Sequence, residues 1–149
     1  MALIEHPRSV VLLVSDGDQL VVVRQRRPGA EGEVLELPAG TFEPGETARQ
    51  CADRELAEEC GLAVSNWVEL GSFWVAPAYS TEKVTVLAGE CSGTATADAD
   101  PDESIIIERI SARDAVRQLE DAASLAALGL ASCPATRTDF GGGSRQTRG

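Results

Sequence analysis

Glu55, Glu58 and Glu59 follow Arg54 in the run Arg-Glu-Leu-Ala-Glu-Glu, and their types and spacing are suited to chemistry. On a helix each residue advances by about 100°, so the three carboxylates occupy an arc of about 100°. Like charges at that spacing repel by a few tenths of a kcal/mol per pair, and Arg54 can neutralise only part of this. A divalent cation would neutralise the rest. Mg²⁺ and Mn²⁺ select carboxylate oxygens, a few per ion, and complete their shell with water and substrate phosphates. An arbitrary acidic cluster is more often a solvated helix face, so the surrounding elements decide between the two.

Those elements are spelled out between Gly40 and Leu62. Glu43-Pro44-Gly45-Glu46 has Pro second and Gly third, the order of a type II turn. Thr47 and Gln50 form a capping-box pair, the residues up to Cys60 favour helix, and Gly61 supplies a stop. The offsets are equally specific. Five residues separate Gly40 from Glu46, seven more separate Glu46 from Arg54, and Glu55, Leu56, Glu58, Glu59, Gly61 and Leu62 follow in register. This pattern resembles the Nudix box, complete at its nine specified positions.

The resemblance extends beyond the box. VVVRQRRPGAEGEVLELPAG is similar to the segment of ADP-ribose pyrophosphatases in which a strand ending in Arg-Gln-Tyr-Arg precedes Glu-Leu-Pro-Ala-Gly, with Arg26 here in place of the Tyr. It implies that Arg27 and Glu36 contact substrate or line its pocket. A guanidinium suits a phosphate or a purine edge as a two-pronged donor, although a strand-end arginine and a solvent-facing glutamate are the plainer readings. Pro77, fifteen residues after Leu62, lies in VAPAYSTE, which resembles the Ser-Pro-Gly loop of that branch and ends at Glu82. A lone strand-edge proline would be ordinary. The acidic run Asp98 to Glu103 resembles a loop that brings a carboxylate to the active site, with Glu103 the best match and Asp102 next; alone it reads as a solvated loop.

What the resemblance implies is hydrolysis of ADP-ribose to AMP and ribose 5-phosphate. Mg²⁺ or Mn²⁺ would be held by Glu55, Glu59 and the carbonyl of Ala39, with Glu58 a further ligand or water-orienting group. Glu103 would accept the proton from water, with Glu58 and Glu82 competing for that role, and Arg54 would orient the glutamates. Other substrates of the family remain open (nucleoside triphosphates, nucleotide sugars, dinucleotides), as does a nucleotide-sensing module without turnover. Dimers are common in the family, so a homodimer is a possible assembly.

The rest of the chain must carry this site. At 149 residues and 43% apolar composition it suits one domain with a real core. Its net charge of -11 disfavours nucleic acid and anionic membrane surfaces as partners and leaves a small nucleotide approaching through metal ions. Cys51, Cys60, Cys91 and Cys133 have no metal-finger spacing, and Cys51 and Cys60 would stand about 13 Å apart along a helix, too far to bridge. Reduced thiols and the lack of a signal-type or membrane-spanning apolar run make a cytoplasmic location the expectation.

Val10–Val14 and Gln19–Arg26 around Asp16-Gly17-Asp18 read as a hairpin, Val34–Leu37 as a short strand, and Val64–Val75 as two strands or one bent strand at Gly71. Lys83–Glu90 and Ile105–Ile110 read as further strands, with a soft segment from Ser92 to Glu103. Ser111 is expected to cap a helix reaching about Leu119, and a second helix spans about Ala122–Ala131. The result is an α/β fold with helices on two faces of a mixed sheet, and the family implies an α/β/α sandwich. The expected domain is residues 1–131, followed by a disordered tail at 132–149.

Overall fold

In a computed structural model, residues 2–95 and 104–133 are described. The strands are β1 (Ser9–Asp16), β2 (Gln19–Arg27), β3 (Gly32–Glu36), β4 (Ala39–Thr41), β5 (Leu62–Val64), β6 (Val68–Trp74), β7 (Lys83–Thr94) and β8 (Ile106–Ser111). The helices are α1 (Ala48–Cys60), α2 (Ala115–Gln118) and α3 (Ala122–Ala131). The sheet runs β3-β2-β1-β7-β5, with β4 also paired to β1, β6 to β7 and β8 to β2.

β1 sits at the centre because both of its faces are apolar. Val10, Leu12 and Val14 join Val21, Val23, Leu87 and the α1 residues Cys51, Ala52, Leu56 and Cys60 in one buried cluster. Val11, on the opposite pleat, joins Leu20, Val22, Val84, Val86, Ala115, Leu119 and Ala127 in a second. Successive side chains of a strand point to opposite faces, so an uninterrupted run of branched residues forms two cores at once. β1 and β7 are parallel, from Ser9 opposite Val84 to Ser15 opposite Glu90. The expected mixed sheet with helices on two faces is what the chain forms.

The helix signals near the box are realised in detail. Thr47 Oγ1 accepts from the Gln50 amide at 3.2 Å and the Gln50 side chain accepts from the Thr47 amide at 2.9 Å, which completes the capping box. Gly45 has φ +82°, which the third position of a type II turn requires, and the Glu46 N–H donates to the Glu43 carbonyl at 3.1 Å.

Three local expectations change, and one open alternative is settled. Ser111 does not cap a helix: it closes β8 opposite Gln19, and α2 begins only at Ala115, because pairing with β2 claims the backbone through Ser111. β7 runs on to Thr94 into the segment expected to be soft, since Leu62 and Ala63 pair with Thr94 and Gly93. Val64–Val75 resolves into β5 and β6, the latter bulged between Glu69 and Gly71. Ala39–Thr41, beyond the expected strand Val34–Leu37, is a further three-residue strand set against Ser9–Val11. The expected acidic loop, including Glu103, and the tail beyond Cys133 lie outside the described residues.

The edge strand β3 is covered by the link between α2 and α3. The Leu35 N–H donates to Glu120 Oε1 at 3.2 Å, the Glu120 N–H donates to the Leu35 carbonyl at 3.1 Å, and the Leu37 N–H donates to the buried Ser124 Oγ at 2.9 Å. An edge that would otherwise be open to another chain is thereby closed, and the start of α3 is held against the end of β3.

Candidate active site

The central sheet, β4 and α1 together form one wall of a cleft of about 480 Å³. Glu55 and Glu59 are one turn apart on α1 and both line it, together with Gly40 and Ala39 of β4 and with Arg27, Glu36 and Glu82. The glycine is required by contact: a Cβ at Gly40 would fall on the carboxyl group of Glu55. The turn and helix are locked by Arg54, which donates to Glu46 Oε1 and Oε2 at 2.6 and 2.9 Å, to Glu55 Oε1 at 2.9 Å and to the Thr41 carbonyl at 2.9 Å. Arg54 also holds the Glu46 carboxyl at about 2, well below its ordinary range.

Glu59 is the most perturbed of the acids. Burial pushes its carboxyl up to about 8, the Glu55 charge adds to the effect, and a hydrogen bond from the Ala39 backbone and the charge of Arg27 oppose it. Its Oε2 is buried without a hydrogen-bond partner. Burial likewise raises Glu55, against the pull of Arg54. Glu58 is not brought to this pair. Its side chain is 46% exposed, it accepts from Arg54 Nη1 at 3.3 Å, and it does not line the cleft. Its place on the helix puts it under the guanidinium and away from β4.

Among the described residues no group of three His, Cys, Asp or Glu side chains is arranged to hold a metal ion. A two-carboxylate site still fits a hard divalent cation that keeps several waters and takes substrate phosphate oxygens. The partnerless Glu59 Oε2 and the Glu55 carboxyl against Gly40 are the groups that could hold it.

A second set of groups stands at the end of β2. Arg27 Nε donates to Glu36 Oε1 at 3.0 Å and Nη2 to Oε2 at 2.7 Å, and Gln25 Nε2 donates to Oε2 at 3.1 Å. Glu36 is therefore not the solvent-facing residue of the plainer reading; it is buried and fully engaged. On the remaining side, Glu82 Oε1 accepts from Ser9 Oγ at 3.3 Å and lies 3.9 Å from His6 Nδ1, while the His6 N–H donates to Thr81 Oγ1 at 2.8 Å. Pro77 is exposed and does not line the cleft.

Sequence reasoning missed His6, Ser9, Gln25, Asp121 and Ser124, all of which line the cleft. Gln25 could have been found, because it shares a strand face with Arg27. Nothing local marks the other four. A larger groove of about 680 Å³ lies elsewhere, around Leu13, Leu20, Val68, Leu70 and Ala88, and Glu90 is its one charged lining residue.

Residues 5–128 match the NUDIX domain family. The chain is 33% identical over 121 residues to an ADP-ribose pyrophosphatase of Bacillus subtilis (strain 168), covering 79% of this chain and 65% of that protein. It is 30% identical over 122 residues to a methanol dehydrogenase activator of Bacillus methanolicus, covering 80% of this chain and 66% of that protein. It thus spans just under two thirds of the length of these relatives. The crystal structure of an ADP compounds hydrolase superposes with a TM-score of 0.75 at 24% identity, covering 83% of this chain and 70% of the other, which is likeness of fold.

Proposed function

Since the chain belongs to the NUDIX domain family, we propose that it is a metal-dependent hydrolase of a nucleoside diphosphate joined to a second moiety, with ADP-ribose the substrate. Water would add to one phosphorus of ADP-ribose, the bridging P–O bond would break, and AMP and ribose 5-phosphate would leave. The observation that carries this reading is the pair Glu55 and Glu59 facing a nucleotide-sized cleft, one cradled by Gly40 and the other with a buried oxygen unpartnered. A Mg²⁺ or Mn²⁺ ion held there, with help from the Ala39 backbone, would supply charge screening and an acidified water.

The protein's own groups do the rest. Arg54 ties Glu55 to the Glu46 turn and so positions it. Arg27, aligned by Glu36, would offer its guanidinium to the substrate from the end of β2. Glu103, the first candidate by family resemblance, lies outside the described residues, and Glu82, which lines the cleft, is its rival for the proton from water. Comparing Glu82→Gln with Glu103→Gln assigns the base: the correct one flattens the acid limb of the pH–rate profile. In this reading residues 1–131 are the catalytic unit.

The test is a substrate panel in Mg²⁺ and Mn²⁺, with ADP-ribose, dGTP, NADH and a nucleotide sugar, read as AMP and phosphate release. ADP-ribose should be preferred, and Glu59→Gln should lower the rate about 10²-fold or more, as loss of one strong electrostatic element does. Preference for another member of the panel would reassign the substrate. Full activity in Glu59→Gln would remove the metal assignment.

A further inference from the structure

Among the described residues, two buried side-chain polar atoms lack a hydrogen-bond partner, Glu59 Oε2 and Asp121 Oδ1. Both residues line the same cleft. The proposed metal site accounts for the first and leaves the second unexplained. A buried acceptor without a partner costs free energy, and native proteins keep such atoms where something else meets them.

Asp121 has a structural duty, but that duty uses only one oxygen. Its Oδ2 accepts from the Ser124 N–H at 3.1 Å and caps α3, a task that Asn or Ser would perform equally well. The position of the residue is not free to drift. Ser124, one turn into α3, takes the Leu37 N–H, so the cap is fixed to the end of β3. The same cleft is also lined by Gln25, Arg27, Glu36, Leu37 and Ala123. The Glu36 carboxyl is committed to Arg27 and Gln25, and the charges of Glu36, Glu59 and Asp121 all bear on Arg27. Three carboxylates bear on this one guanidinium, so a phosphate beside Asp121 would meet an excess of negative charge, and an uncharged group that donates hydrogen bonds suits that position better.

We propose that Asp121 is a specificity-determining residue whose Oδ1 accepts a hydrogen bond from a neutral donor on the non-phosphate part of the substrate, a sugar hydroxyl or the exocyclic amine of the base. This rests on the diphosphate-hydrolase reading and extends it. The diphosphate lies toward Glu55 and Glu59, and the donor-bearing moiety lies toward Asp121. Discrimination of this kind is strong, because a substrate without the donor leaves the carboxylate unpaired.

Asp121→Asn and Asp121→Ser both retain an oxygen for the Ser124 N–H, so both should keep the melting temperature within about 2 °C of the wild type. Both should raise KM for ADP-ribose by about tenfold or more while kcat changes by less than about threefold, the signature of lost binding without lost chemistry. The analogues with hypoxanthine in place of adenine and with 2′-deoxyribose in the nucleoside, together with an analogue lacking a hydroxyl of the terminal ribose, identify the donor: for the correct one the wild type and Asp121→Asn become equal. Unchanged KM for ADP-ribose in both variants would overturn the proposal. Calorimetric binding of ADP-ribose separates the two levels of inference. If the wild type turns over no diphosphate, the functional reading falls, while a tenfold weaker association for Asp121→Asn would still uphold the role of Asp121 and equal association would end it.

Discussion

At Gly40 a single hydrogen atom in place of a side chain lets the Glu55 carboxyl lie against the β4 backbone. Gly40→Ala would force a methyl group into that carboxyl, and the cost of overpacking is about 1–3 kcal/mol. The expected outcome is a lower melting temperature together with loss of Mn²⁺ binding by calorimetry; normal Mn²⁺ affinity in a folded Gly40→Ala protein would contradict the role given to Glu55. The neighbouring acids differ in fate although they share one helical turn. Glu59 is buried with an oxygen to spare, whereas Glu58 is half exposed and paired with Arg54. Glu58→Gln should therefore reduce the metal-dependent rate far less than Glu59→Gln does, a contrast that parallel steady-state assays measure directly.

Helix α1 positions the site only if it starts in the right place. The reciprocal bonds between Thr47 and Gln50 satisfy two amides of its first turn, and Thr47→Ala should cost about 1 kcal/mol in urea unfolding. The other side of the helix is apolar: Leu56 is fully buried between α1 and the strands β1 and β2. Leu56→Ala should cost about 2–5 kcal/mol, several times the loss at the cap, because a cavity opens beneath Glu55 and Glu59. Equal losses at the two positions would mean that tertiary packing does not hold the helix.

For the molecule as a whole, the buried acid couples folding to pH. The ordinary value of a glutamate is 4.5, and in the metal-free protein burial raises Glu59 to about 8. The folded state then binds a proton that the unfolded state has released, so the contribution of Glu59 to stability is present below about pH 4.5 and is lost as pH rises toward 8. A divalent cation held by the folded protein at Glu59, as proposed, would compete with that proton, so its stabilisation should grow over the same interval. The rise in melting temperature on adding Mg²⁺ or Mn²⁺ should be clearly larger at pH 8.5 than at pH 6; an equal rise at both would dissociate Glu59 from the cation. The net charge of -11 works in the same direction, since a bound cation relieves self-repulsion. No helix among the described residues is long and apolar enough to cross a membrane.

The sequence alone determined the turn, the cap, the extent of α1 and the presence of two carboxylates one turn apart, because each depends on groups within a few residues of one another. It also showed Val10–Val14 as a strand of a hairpin, while the two apolar cores on its faces came from the structure. Tertiary structure decided the rest. The parallel pairing of β1 with β7 joins segments more than 70 residues apart in the chain, and the short β4 is a strand only because Ser9–Val11 lies beside it. Helical spacing grouped Glu58 with its neighbours, and only the packing of α1 on β4 and β1 turned Glu59 inward and left Glu58 to the solvent. His6 and Asp121 carry no local mark of a role, because what places each of them in the cleft is contact with strands distant in sequence.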